Sequence, residues 1–268
     1  MKVNGKTVVV TGAGSGIGRE LSLLLLAKGA NVVGVDLNEA ALSETARLAG
    51  GHVSAFQPIV TNIADRQAVE ALPERACARF GVVDGLINNA GIIQPFLRVN
   101  DLDYPTIERV LNVNLFGTLY VAKAFLPYLL KRPQAHIVNL SSMGGFVPVP
   151  GQTIYCAAKA GVRLLTEGLA AELIDTNVRV TVVFPGAIAT NITANSGVST
   201  PSRQPEQKGS MKPMLAGKAA EMIVRGMERD AQHVFVGRDS AVMNIFHRLN
   251  PSLAARMIAN KMKRVLPN

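Results

Sequence analysis

The chain has 268 residues, 48% hydrophobic and 18% charged, with 24 glycines and two cysteines. That apolar share excludes a disordered chain, and two cysteines exclude a disulfide scaffold and point to a reducing interior. Lys and Arg exceed Asp and Glu by 28 to 19, but five of those bases (Arg248, Arg256, Lys261, Lys263 and Arg264) lie in residues 240–268, where there is no acid. The first residues pass into a β-rich run without the flanks of a signal peptide, and no run approaches the roughly 20 apolar residues of a membrane span, so a cytoplasmic chain is expected.

In chain order, strand-length apolar runs at 6–11, 31–35, 52–56, 85–88, 136–140 and 178–184 alternate with amphipathic stretches at 17–28, 39–48, 68–80, 105–130 and 155–174. Continuous apolar strands separated by helices predict an α/β fold, a doubly wound, mostly parallel, Rossmann-like sheet in three layers. A single domain is expected over residues 1–240. It includes a polar, proline-bearing variable loop or lid at 190–217, of a length that is usually functional or disordered. Helical (219–228) and strand-like (233–237) pieces follow, then a basic helical extension at 241–268.

After the first strand, Thr11-Gly12-Ala13-Gly14-Ser15-Gly16-Ile17-Gly18 opens directly into a helical pattern. Glycines let a backbone approach a pyrophosphate, whose charge is favoured by the N–H groups and dipole at a helix start. Asp36 ends the second strand, 18 residues past Gly18. A carboxylate there accepts from both ribose hydroxyls of a bound dinucleotide and repels a 2′-phosphate, and neither Ser15 nor Leu37 supplies a compensating cation, so NAD is favoured over NADP. A helix N-cap role for Asp36 is compatible with this.

Tyr155 and Lys159 lie four apart in a helical stretch and share a face. A neighbouring ammonium favours the phenolate and lowers a tyrosine pKa from about 10. Ser142 follows a β-like run and sits at a strand's carboxyl end, where ligands bind in open α/β sheets.

With Asn88-Asn89-Ala90-Gly91, Asn114, and Pro185-Gly186 followed by Thr190, these motifs make the chain resemble a short-chain dehydrogenase/reductase of the compact TGxxxGxG and YxxxK branch, over roughly residues 5–190. The resemblance implies a nicotinamide-dependent dehydrogenase or carbonyl reductase. Tyr155 would exchange a proton with the substrate oxygen, Ser142 hold that oxygen, Lys159 bind the nicotinamide ribose and depress the Tyr155 pKa, and Asn114 support a water relay to Lys159. It implies a cofactor site of Gly12, Ser15, Gly16, Ile17, Gly18, Asp36, Leu37, Asn62, Ile63, Asn89, Ala90, Gly91, Tyr155, Lys159, Pro185, Gly186, Ile188 and Thr190. Asn62 stands where the family often has an aspartate that accepts from the adenine amine, and an amide oxygen can still accept there. Ser141, beside Ser142, is read as structural. A homodimer or homotetramer is implied, with the helices around Asn114 and Tyr155 as interface candidates.

Around the catalytic set, Met143, Phe146, Val147, Val149 and Ile154, with Gln94 and Gln152, suit an apolar alcohol or ketone of lipid, steroid or terpenoid type; Gln94, Met143 and Gln152 are the substrate-contact candidates. Met211 and Met214 form a pliable lid in this reading. In the tail, Leu253, Met257, Ile258, Met262 and Val265 share a face. Such a basic amphipathic helix can pack on its own protein, dock on a partner subunit, cover the pocket, or lie on an anionic membrane as a peripheral contact. Nucleic acid is not expected, because the basic run lacks interleaved aromatics. The four histidines have no metal-ligand spacing, so no metal is expected. A catalytically idle NAD-binding sensor acting through the tail is the alternative reading, and the complete Asn114, Ser142, Tyr155 and Lys159 set argues against it.

Overall fold

Alternation within one strand sets the architecture. In β1 (Thr7–Thr11), Val8 and Val10 enter one hydrophobic core and Val9 enters another, so the strand is covered on both faces. The computed structural model describes residues 1–198 and 212–262. Within them the chain runs α1 (Gly16–Ala27), β2 (Asn31–Asp36), α2 (Glu39–Ala49), β3 (Phe56–Val60), α3 (Arg66–Glu70), α4 (Leu72–Phe80) and β4 (Gly85–Asn88). It continues with α5 (Tyr104–Leu111), α6 (Thr118–Leu130), β5 (Ala135–Leu140), α7 (Thr153–Glu172), β6 (Val178–Pro185), β7 (Ile188–Ala189) and α8 (Ile192–Asn195). Last come β8 (Met214–Leu215), α9 (Ala216–Glu228), β9 (His233–Val236), α10 (Arg238–Leu249) and α11 (Pro251–Met262).

The main sheet is parallel throughout, in the order β3-β2-β1-β4-β5-β6-β9. Helices α1, α2 and α9 pack on one face, and α3, α4, α6 and the end of α7 on the other, giving the predicted three layers in a single domain. Phe125 and Leu129 of α6 are fully buried, and burial of each such side chain contributes about 1.5–3 kcal/mol. The strand order reverses between β1 and β4, which opens a crevice at their carboxyl ends. Cys77 and Cys156 are both free.

Three local readings need correction. Residues 50–55 form a 3-10 turn rather than strand, and the third strand is Phe56–Val60. Pro58 disguises it, and is tolerated because β3 is an edge strand. The stretch 68–80 is two helices, because Pro73 belongs in a first helical turn. Residues 105–130 contain a wide π-type turn, Asn112–Gly117, between α5 and α6. Of the predicted loop, 199–211 lie outside the described residues, as do Met211 and, in the tail, Lys263, Arg264 and Val265. Met214 sits in β8, paired with Ile188 and packed on the core that holds α1 and α9.

Candidate active site

The crevice begins at the turn after β1. Ser15 is the extended N-cap residue of α1, but its side chain caps no helical N–H and the first turn holds no acid. Its Oγ instead accepts from Asn195 Nδ2 at 2.8 Å. The N–H groups at the start of α1 are therefore left for an anion. A Cβ on Gly18 would strike the Gly12 carbonyl oxygen and Asn89 Nδ2, so only glycine lets helix, turn and the end of β4 come this close. Asn89 Nδ2 donates to the Thr11 carbonyl at 2.9 Å, and the Asn89 and Ala90 N–H groups donate to Thr11 Oγ1 at 3.0 and 3.1 Å. Thr190 lies against Gly16 from the other side.

At the end of β2, Asp36 Oδ2 accepts from Gly14 N at 2.8 Å and Oδ1 from Asn38 N at 3.0 Å. The N-cap of α2 is Asn38, which accepts from Ala41 N, so Asp36 is spared that task. Each Asp36 oxygen keeps a lone pair for a ribose hydroxyl. Leu37 beside it is exposed, as is Asn62, whose Oδ1 accepts from Ala64 N at 3.0 Å, while Ile63 is buried against Gly117. Arg19, absent from the sequence reading, braces this corner: its Nη2 donates to Gly14 O at 2.5 Å and its Nε to Thr45 Oγ1 at 3.2 Å. Its only sequence signal is its place directly after Gly18. The carboxylate, the uncapped helix start and the glycine-only approach fit a dinucleotide.

The Pro185-Gly186 turn is held by another residue the sequence did not flag. Asp239 Oδ2 accepts from Ala187 N at 2.7 Å, and a Cβ on Gly186 would collide with that carboxylate. Ile188 follows in β7. Ser196 is a further such residue: its Oγ accepts from Ile93 N at 3.0 Å and so ties the segment after β7 to the loop after β4.

The proton-handling set lies where β5 ends and α7 begins. Ser142 Oγ accepts from Gly144 N at 3.0 Å, and the space a Gly144 Cβ would fill lies 3.5 Å from Ser142 Oγ and 3.6 Å from the Tyr155 ring. The two hydroxyl-bearing side chains thus flank one glycine. Lys159 is buried, and its Nζ donates to the Leu140 carbonyl at 2.9 Å, 5.9 Å from the Tyr155 ring centroid. Ser141 Oγ donates to the Lys159 carbonyl at 2.7 Å, which ties β5 to α7 and accounts for that serine. Asn114, fully buried in the π-type turn, donates through Nδ2 to Ile92 O and Val110 O at 2.8 and 2.9 Å and accepts at Oδ1 from Ile92 N at 3.1 Å. A Cβ on Gly91 would meet Asn114 Oδ1 at 2.6 Å and Lys159 Nζ at 3.3 Å, so both groups converge on that bare backbone.

Burial corrects one expectation. Tyr155 is pushed up to about 12, chiefly by desolvation, against the lowering effect of a hydrogen bond with Ser142. Desolvation pushes Lys159 down to about 8. Without cofactor, the ammonium therefore does not bring the phenol toward neutrality. At neutral pH the arrangement holds a protonated phenol beside a hydroxyl and a cation, which suits proton donation to a developing alkoxide.

Gln94 also departs from its reading as a substrate contact. It is fully buried; its Nε2 donates to Gly151 O at 3.0 Å, and its Oε1 accepts from Ile154 N at 2.9 Å and Tyr155 N at 3.1 Å. Those atoms are spent on capping α7. Gln152 is buried too and donates to Gln94 O at 2.7 Å, with its Oε1 unpartnered. Met143 packs on the cluster formed by Phe146, Val147, Phe184 and Ile258, to which the C-terminal helix contributes through Ile258.

A profile described as short chain dehydrogenase matches residues 6–199. An oxidoreductase of Mycobacterium tuberculosis named SadH is 35% identical over 269 residues, covering 98% of this chain and 97% of its own. A short chain dehydrogenase/reductase from Burkholderia phymatum, solved in complex with NAD, superposes with a TM-score of 0.82 at 25% identity, over 94% of this chain and 96% of that one. One from Burkholderia cenocepacia, in complex with NADP, gives 0.80 at 26% identity, over 96% and 99%. The profile match runs from just before β1 past Thr190, taking in the turn, the strand ends and α7 alike, and the chain belongs to the short-chain dehydrogenase/reductase family of oxidoreductases.

Proposed function

We propose that the chain is an NAD(H)-dependent alcohol dehydrogenase or carbonyl reductase acting on an apolar secondary alcohol or ketone, with Tyr155 as the acid and base. The observation that carries this reading is the gathering of Ser142 and Tyr155 about Gly144, with Lys159 Nζ 5.9 Å from the Tyr155 ring centroid and converging with Asn114 on Gly91, at the carboxyl end of the sheet. Ser142 Oγ holds the substrate oxygen, and Tyr155 gives that oxygen a proton in reduction or takes one in oxidation. Lys159, anchored on Leu140 O, supplies the nearby positive charge, and Asn114 fixes the Gly91-Ile92 backbone opposite it. The bound nicotinamide supplies or receives the hydride. Gly12 and Ser15 to Gly18 would cradle the pyrophosphate, Asp36 and Leu37 the adenosine ribose, and Asn62, Ile63 and Asn89 to Gly91 the adenine side. Pro185, Gly186, Ile188 and Thr190 would meet the carboxamide end. The catalytic machinery lies in residues 1–240, with 241–268 appended to it.

Relatives of this fold are solved with either dinucleotide, and Asp36 supports NAD here, because its carboxylate repels a 2′-phosphate. Met143 and the apolar side chains around it support an apolar substrate, with the Gln152 oxygen as a lone polar contact. Outward-facing Phe116 and Leu164, on the π-type turn and α7, support a homo-oligomer built through these helices. Turnover of a panel of lipid-like, steroid and terpenoid ketones and alcohols with each cofactor tests the reading. NAD(H) is expected to be preferred at least tenfold, and Asp36→Ala to erase the preference. NADP(H) preference in the unmodified chain would overturn the Asp36 assignment.

A further inference from the structure

Helices α10 and α11 form a hairpin that is apolar on two sides. Its inner side is accounted for: Ser240 Oγ donates to Phe184 O at 2.7 Å, Ala254 and Ile258 are buried, and Met243 and Met262 pack on the Phe146, Val147 and Phe184 cluster. Among the described residues, its outer side has no such partner. Val242, Ile245, Phe246 and Leu249 follow one another at helical spacing along one face of α10, and all are exposed, Ile245 at 59% and Leu249 at 80%. Leu253 and Met257 extend the exposed apolar surface onto α11. A helix inside its own fold needs one apolar stripe, so a second one facing water is unexplained by folding.

The charge around this face selects the occupant. Arg248 and Arg256 are exposed beside it, and residues 240–268 hold five bases and no acid. A second copy meeting this face about a two-fold axis would set these arginines against their own equivalents, and the one acid of the hairpin, Asp239, is engaged by Ala187 N at 2.7 Å. An anionic bilayer offers an apolar interior for the stripe and negative headgroups for the arginines. We propose that the α10–α11 hairpin seats the protein on anionic lipid, with Ile245, Phe246 and Leu249 inserted at the interface. Because α10 packs near the Met143–Gly145 turn, next to Ser142, and Ile258 of α11 shares a hydrophobic cluster with Met143, seating would bring lipid close to the catalytic end of the sheet. The proposal stands independently of the redox reading.

The test is co-sedimentation of the full chain with phosphatidylcholine vesicles, with and without phosphatidylglycerol. Binding to the anionic vesicles is expected to exceed binding to neutral ones at least tenfold, and to weaken in about 0.5 M salt. The double variant Ile245→Glu, Leu249→Glu is expected to lose at least tenfold in partitioning while keeping the wild-type melting temperature, since both side chains face water. Arg248→Ser with Arg256→Ser should lower the anionic preference about tenfold or more without affecting melting. No sedimentation with anionic vesicles at low salt overturns the proposal. So does equal sedimentation of wild type and the glutamate variant, or a smaller oligomer for that variant by light scattering without any vesicle binding, which would assign the face to a second copy.

Discussion

Burial, more than their mutual charge, sets the protonation of Tyr155 and Lys159. Desolvation holds the phenol protonated to about 12 and lets the ammonium lose its proton near 8. For ketone reduction Tyr155 is therefore in its donor form throughout the neutral range, and the group that titrates is Lys159, charged below its pKa and neutral above it. The log of kcat/KM for reduction is expected to run level up to about pH 8 and to fall above it, as the cation that favours the departing phenolate is lost. In Lys159→Met that bend should vanish, with the rate lowered roughly 100-fold. Persistence of the bend in the variant would reassign it to another group. These residues were legible in the sequence because their relation is local: four residues along one helix, or one strand end followed by a turn. Asp239 and Asn195 were not, because they reach Ala187 and Ser15 from far along the chain, and only folding makes them neighbours. Gln94 was noticed but given the wrong task, since nothing in its own segment shows that its amide caps α7.

At the scale of elements, the start of α7 is the part most exposed to damage. Its N-cap residue, Gln152, makes no capping bond with its side chain, and the first turn is held by Gln94 Oε1 on the Ile154 and Tyr155 N–H groups. Gln94→Ala leaves those part-buried donors without their acceptor, at a cost of about 1–3 kcal/mol. It should also loosen Tyr155, so kcat is expected to fall about tenfold with KM little changed. A rise in KM at constant kcat would return Gln94 to a substrate contact. Strands and long helices could be read from hydrophobic periodicity, because buried strands are continuous apolar runs. The exceptions were places where a proline or glycine decides locally, at Pro58 and Pro73 and the 3-10 turn Gly50–Ala55. The π-type turn around Asn114 was hidden as well, because a one-residue widening does not disturb an amphipathic pattern.

Across the whole molecule, the N-terminus and the turn after α9 meet at His136. It is fully buried in β5, its Nε2 is 2.8 Å from Thr181 Oγ1, and its Nδ1 is 3.3 Å from Asp230, which also pairs with the Met1 ammonium at 2.6 Å. Burial first, and that ammonium next, push His136 down to about 4 from 6.5. The folded chain then binds fewer protons than the unfolded one between those values, so stability falls as pH drops through that window. Melting temperatures are expected to decline from pH 6.5 to 4 and the slope to flatten in His136→Leu, whatever that variant's overall stability; an unchanged slope would place the acid sensitivity elsewhere. The fold as a whole was legible because βαβ alternation leaves few arrangements, and the reversal between β1 and β4 put the dinucleotide turn and the tyrosine at one edge. The central claim is that this edge does chemistry through Tyr155. The most direct measurement pairs NADH binding with NADH-dependent ketone reduction in Tyr155→Phe, which removes one oxygen from a site whose backbone is held by Gln94. Turnover is expected to drop at least 1,000-fold with the NADH dissociation constant within about threefold of wild type. Turnover within tenfold of wild type would contradict the account.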